Sequence, residues 1–110
     1  MDRKTFEAFV AVHERPIEAI SKAAWKLHQE VNQTYGGELP YGYHLSMVAD
    51  NVLKYGHVVI VSEDDILPVV FGAYYHDSIE DARQTYNDVM RKAQSMMSDS
   101  QALMATEIVY

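Results

Sequence analysis

The sequence contains no cysteine. That absence rules out a disulfide framework and any thiolate metal site. No apolar run approaches the roughly 20 residues that a membrane span needs. The first residues, Met1-Asp-Arg-Lys-Thr-Phe-Glu7, lack the apolar core of a signal peptide. A cytoplasmic protein with no membrane partner is therefore expected. A block of positive charge is missing as well: the nine Lys and Arg residues are scattered singly or in pairs through a chain of formal net charge −7. Nucleic-acid binding draws on a basic stripe, so neither a nucleic-acid partner nor a helix-turn-helix binder is expected. There is no internal repeat, linker or low-complexity segment.

What is present points to one small globular domain over residues 1–110. Apolar residues make up 48% and charged residues 23%, which is enough to bury a core and argues against disorder. With thiolates excluded, the five histidines and sixteen carboxylates are the strong metal ligands, and they suit Mn, Fe, Mg, Co or Zn. A diffuse negative field does not bar a phosphate-bearing substrate, because one metal ion and one or two placed cations outweigh it.

The periodicity is helical nearly throughout. A short helix is predicted from about Arg3 to His13. Ile17, Ile20, Ala24, Leu27 and Val31 share one face of a second, opened by Pro16 and closed by Gly36-Gly37. Leu45, Val48, Ala49 and Val52 give a third, ended by Gly56. His57-Val-Val-Ile-Val61 is the one β-like run, a short strand or a buried connection. Ser62-Glu-Asp-Asp65 reads as a capping box ahead of a helix bearing Ile66, Val69, Val70 and Ala73. Further boxes, Thr85-Tyr-Asn-Asp88 and Ser98-Asp-Ser-Gln101, open two more helices. Trp25, Tyr74 and Tyr75 are expected in the core, with Met90, Met96 and Met97 as adaptable filling. The chain stops inside an apolar helical run with no capping glycine. That reads as a chain cut short, able to form a homo-oligomer through its apolar C-terminal end.

Counting three and four onward from Ala73 lands on His76 and Asp77, which places an imidazole and a carboxylate at the edge of the core-facing stripe. Such groups are costly there unless something satisfies them. Glu80 and Asp81 follow one turn later, so four titratable groups share one side of a single predicted helix end. A divalent cation resolves the conflict by neutralising the carboxylate and taking an imidazole nitrogen. His13 and His57 read as surface or turn residues, and His28 as a residue able to flank the site.

The surrounding segments resemble the HD superfamily of metal-dependent phosphohydrolases, and within it the hydrolase domain of enzymes that degrade guanosine tetra- and pentaphosphate. Leu39-Pro-Tyr-Gly-Tyr-His44 resembles that family's Pro-Tyr-x-x-His. Ala73-Tyr-Tyr-His-Asp-Ser-Ile-Glu-Asp81 resembles its helix bearing His-Asp-x-x-Glu-Asp, and Thr85-Tyr-Asn-Asp-Val89 the Thr-capped helix that follows. The resemblance covers roughly residues 24–110. It implies an all-α orthogonal bundle of five or six helices, with His44, His76 and Asp77 binding a divalent metal ion. Glu80 and Asp81 would then be the catalytic pair that orients or deprotonates the attacking water. The reaction implied is hydrolysis of a phosphate or pyrophosphate ester of a small phosphorylated metabolite or nucleotide.

The sequence departs from that pattern in three places. The family's second metal-binding aspartate has no counterpart at Asp88 or Asp99, which places it beyond Tyr110. The loop Gln33–Glu38 lacks the family's Arg-Lys pair, which speaks against guanosine tetraphosphate as substrate. Ala82-Arg83 stands in place of the family's threonine, and Arg83 is a candidate to bind substrate phosphate. The competing expectation is a non-catalytic or degenerate HD helical module that acts through protein association.

Overall fold

The computed structural model describes residues 1–30, 34–35, 39–40 and 42–110, the side chains of 34–35, 39–40 and 81 excepted. The fold is all-α. Seven helices occur among the described residues: α1 Arg3–Val12, α2 Glu14–Glu30, α3 Gly42–Tyr55, α4 Ile66–Tyr75, α5 Ser78–Asp81, α6 Tyr86–Gln94 and α7 Asp99–Val109. A two-residue antiparallel ladder pairs β1 (Thr34–Tyr35) with β2 (Leu39–Pro40). Val31 and Gly36-Gly37, expected on and after α2, lie outside the described residues.

Local chemistry accounts for the helix starts. Asp2 caps α1, its Oδ1 accepting from the Thr5 amide at 2.9 Å and its Oδ2 from the Thr5 hydroxyl at 2.9 Å. Pro16 sits in the first turn of α2, where a missing N–H leaves no broken bond. Both predicted boxes at α6 and α7 are closed. The Thr85 hydroxyl accepts from the Asp88 amide while Asp88 accepts from the Thr85 amide, and Ser98 and Gln101 do the same. Ser62 is a weaker case: its hydroxyl accepts from the Asp64 amide at 3.3 Å and caps a 3-10 turn, Glu63–Asp65, with no reciprocal bond.

The centre of the molecule is α4. Nine of its ten residues are buried, and a helix that is apolar all round is stable only when surrounded. It packs against α7, α3 and α2, and α6 closes over α7. Gly72 permits the α4–α7 approach, since a Cβ there would collide with the Ile108 side chain. Around α4 lie Phe6, Ile17, Ile20, Ala24, Leu45, Ala49, Val89 and Ala93, all buried. Tyr74 and Tyr75 join this core as expected, Trp25 is only half-buried and lies outside it, and Met90, Met96 and Met97 pack on its margin.

The run from His57 to Val61 is neither a strand nor a buried connection. Gly56–Val58 forms a 3-10 turn, and Ile60 alone turns inward, at 2% exposure, with Val58, Val59 and Val61 at 73%, 75% and 80%. The backbone needs no sheet partner because its polar groups are met locally. The Ile60 amide donates to the Gly56 carbonyl at 2.8 Å, and the Met1 ammonium donates to the carbonyls of His57 and Ile60 at 3.1 Å each. No helix among the described residues is long and apolar enough to cross a membrane.

Candidate metal centre

Two helix ends supply the cluster. His44 lies in the first turn of α3, and the start of that turn is set by Gly42, whose Cα faces the Trp25 ring so closely that a Cβ would collide with it. The Trp25 indole N–H donates to Ser46 Oγ at 3.0 Å, and Tyr43 meets the same ring edge-on at 5.1 Å. These contacts lock α3 onto α2 and so place His44.

His76 and Asp77 come from the end of α4. The pattern of apolar residues predicted one helix running from Ile66 to Asp81, but α4 stops at Tyr75. His76 and Asp77 form a turn, and the short α5 begins at Ser78. This break also raises the helix count above the expected five or six. A cause is visible at the turn: the His76 ring nitrogen Nδ1 lies 2.7 Å from the Ala73 carbonyl oxygen. The side chain thereby competes for a carbonyl that serves the backbone in a continuing helix.

One ligand atom from each of His44, His76 and Asp77 lies within 4.8 Å of the others. Asp77 Oδ2 is 2.8 Å from His76 Nε2 and 3.5 Å from His44 Nε2, and the imidazole centroids are 5.4 Å apart. Donor atoms held about 2.1 Å from one cation stand about 3.0–3.4 Å apart in octahedral or tetrahedral geometry, so this spacing is close to a ligand set. The Ala73 carbonyl can only accept, so His76 Nδ1 carries a proton and it is Nε2 that faces the Asp77 carboxylate. Either a proton or a metal cation between Nε2 and that oxygen satisfies both atoms. All three side chains are half-buried, at 23–33% exposure, accessible to an ion yet partly screened from bulk water. Two neutral nitrogens and one carboxylate suit borderline divalent ions.

The other expected residues fall differently. Glu80 lies exposed on α5, and Arg83 is exposed just after it. The side chain of Asp81 lies outside the described residues. Arg83 has φ 57°, left-handed backbone that an L side chain adopts at a cost of roughly 1–2 kcal/mol. The amides of Ala82 and Gln84 both donate to the Ser78 carbonyl, at 3.1 and 3.0 Å, which closes this turn and imposes that backbone. His28, expected as a possible flanking residue, is 1% exposed and stands outside the three-residue cluster. His13 caps α1, its Nδ1 3.0 Å from the Phe9 carbonyl, with Nε2 3.7 Å from Glu63. His57 packs near Phe6. Neither belongs to the cluster, as expected. Asp88 and Asp99 remain at their helix starts and do not join the cluster.

Ser78 was not singled out in the sequence. It is fully buried beside Asp77, and its hydroxyl has no hydrogen-bond partner among the described residues. A serine after His-Asp gives no periodic signal that separates a buried from an exposed hydroxyl. Comparison with family models, curated proteins and solved structures returns no match for this chain.

Proposed function

We propose that the protein is a divalent-metal-dependent phosphohydrolase of the HD type, cleaving a phosphate or pyrophosphate ester of a small phosphorylated metabolite or nucleotide. The observation that supports this reading is the convergence of His44 with His76 and Asp77, from separate helices, with donor atoms at ligand-like spacing. In this reading His44 and His76 offer neutral nitrogens and Asp77 one anionic oxygen, and three protein donors leave positions open for water and substrate. A divalent cation bound there supplies Lewis-acid chemistry, lowering the pKa of water and polarising a phosphoryl oxygen. Glu80 and Asp81 would orient or deprotonate the attacking water, and the Arg83 guanidinium would meet a substrate phosphate.

The test is metal content together with hydrolysis of a phosphomonoester, a phosphodiester and a pyrophosphate, each assayed with Mn, Fe, Mg, Co and Zn. His76→Ala and Asp77→Ala should lose both metal and turnover. Glu80→Gln should keep the metal and lose about 10²–10⁴-fold in kcat, the usual worth of a positioned acid or base. Absence of stoichiometric metal, together with unchanged behaviour of His76→Ala, would sink the reading.

Leu103, Ile108 and Tyr110 are exposed at 51%, 46% and 77%, and they favour a second reading, a helical module that associates through α7. Light scattering across a concentration series separates the two. A non-catalytic module forms dimers or larger species and hydrolyses nothing in the panel.

A further inference from the structure

A second polar feature lies away from the cluster. A cleft of about 540 Å³ opens between α2 and α6, within the size range of small-molecule sites. Three of the chain's nine Lys and Arg residues line it: Lys26, Arg91 and Lys92. In a chain of net charge −7 that is a local reversal of sign. Its acids are Glu30 and Asp88. Asp88 is already committed, with Oδ2 accepting from the Thr85 amide at 2.9 Å and Oδ1 from Arg91 at 2.7 Å. Arg91 gives up one of its five donors in that bond and keeps the rest. Lys26 and Lys92 make no ion pair among the described residues.

Tyr75 adds an independent observation. It lines the same cleft yet is only 2% exposed. Its ring is fixed by stacking on Phe71 at 4.1 Å, and its hydroxyl makes no hydrogen bond among the described residues. That hydroxyl is not sealed from solvent as the Ser78 hydroxyl is, so it keeps access to the cleft. Burial pushes the phenol above its ordinary pKa, so the group stays a neutral donor without an acceptor. Gln84 lines the cleft as well and brings a neutral amide donor.

We infer that this cleft is a binding site for a small phosphate-bearing anion, held by Lys26, Lys92 and Arg91 and hydrogen-bonded by the Tyr75 hydroxyl. Dispersed cations that outnumber the two acids, together with a rigid neutral donor, suit an anion with several oxygens, such as a phosphate or a pyrophosphate. The site is separate from the His44–His76–Asp77 cluster. None of His44, His76 and Asp77 lines the cleft. The inference does not depend on the metal.

Calorimetric titration of inorganic pyrophosphate into the full chain, in EDTA at low salt, tests it. Saturable one-to-one binding is expected, weakening as NaCl is added. Lys26→Gln combined with Lys92→Gln should weaken it by about tenfold or more, and Tyr75→Phe by about tenfold, since both remove donors to a charged acceptor. The two lysines are exposed, so the double variant keeps the fold, which far-UV circular dichroism verifies. His76→Ala should bind pyrophosphate as the unsubstituted chain does. Absence of saturable heat overturns the inference. So does affinity unchanged in the double lysine variant, or affinity lost in His76→Ala and retained in that double variant.

Discussion

The side chains of His76 and Asp77, neighbours in sequence, turn onto one another, with Nε2 2.8 Å from Oδ2. The opposite ring nitrogen of His76 is held 2.7 Å from the Ala73 carbonyl, which fixes both the tautomer and the orientation of the ring. Nε2 therefore faces a carboxylate, with His44 Nε2 3.5 Å from the same oxygen. A carboxylate between two imidazoles is satisfied by a proton on a facing ring nitrogen or by a metal cation bound among them.

Metal binding is therefore expected to raise stability in a way that depends on all three donors. At about one hundred times its dissociation constant, a divalent ion adds about 2.7 kcal/mol, a rise in Tm on the order of 10 °C for a domain of this size. Thermal melts with Mn or Zn against EDTA measure it. Asp77→Asn should abolish the rise, because the amide removes the anionic ligand. An equal metal-induced rise in Asp77→Asn and His76→Ala would place the ion elsewhere.

Two glycines should behave alike in stability and differently in metal affinity. A methyl at Gly42 meets the Trp25 ring, and one at Gly72 meets Ile108, so Gly42→Ala and Gly72→Ala should each cost about 1–3 kcal/mol through overpacking. Only Gly42 precedes His44 in the first turn of α3. Its replacement shifts that turn off Trp25 and should weaken metal binding, with Gly72→Ala unchanged once folded. Urea unfolding and metal titration of both variants separate packing from positioning.

Much of this architecture is legible before any coordinates. The helical period of Ile17, Ile20 and Ala24, the boxes at Thr85 and Ser98, and the position of His76 and Asp77 at the edge of the apolar stripe rest on local spacing, which a sequence displays directly. His44 is reached only through the resemblance of its segment to a known family. Features set by contacts across the fold are not legible. The end of α4 depends on one side chain reaching the Ala73 carbonyl, and nothing in the apolar pattern of Ile66, Val70 and Ala73 marks it. The unpartnered Ser78 hydroxyl depends on what surrounds it. The valines near Ile60 have strand-like composition, but their backbone is satisfied by a turn and by the chain's own amino terminus.

That last difference gives its own expectation. Val58→Thr, Val59→Thr and Val61→Thr remove methyls that are already in water and should each change stability by no more than about 0.5 kcal/mol. Ile60→Ala empties a filled core position and should cost about 2–5 kcal/mol. Denaturant unfolding of the four variants is decisive. Losses above about 1 kcal/mol at two or more valines would mean the run is buried after all.

Acid should act on the start of α6. The backbone N–H of Thr85 holds the Asp88 carboxyl below the usual carboxylate range, aided by the Thr85 hydroxyl and by Arg91. A pKa lowered by folding contributes stability that is complete above the unfolded value and lost as pH falls through the folded one. The difference in Tm between the unsubstituted chain and Asp88→Ala should thus be constant near neutrality and close on acidification. A difference that widens in acid would contradict the capping geometry.

Arg83 tests whether the strained turn after α5 serves binding. Its φ of 57° is freely available to glycine, whose larger unfolded-state entropy offsets part of the gain. Arg83→Gly should therefore stabilise the fold by about 0.5–1 kcal/mol. If the guanidinium meets a substrate phosphate, the same change should raise KM for a phosphate ester by about tenfold, the worth of one charge-assisted contact. Arg83→Lys separates the two effects, since it keeps the charge and the strained backbone while losing the planar fork. A KM restored in Arg83→Lys assigns the residue to charge alone, and a KM raised in both assigns it to bidentate recognition. An Arg83→Gly variant that gains stability with KM unchanged would remove Arg83 from the substrate site and leave the bond pattern at Ser78 as the sole reason for the turn.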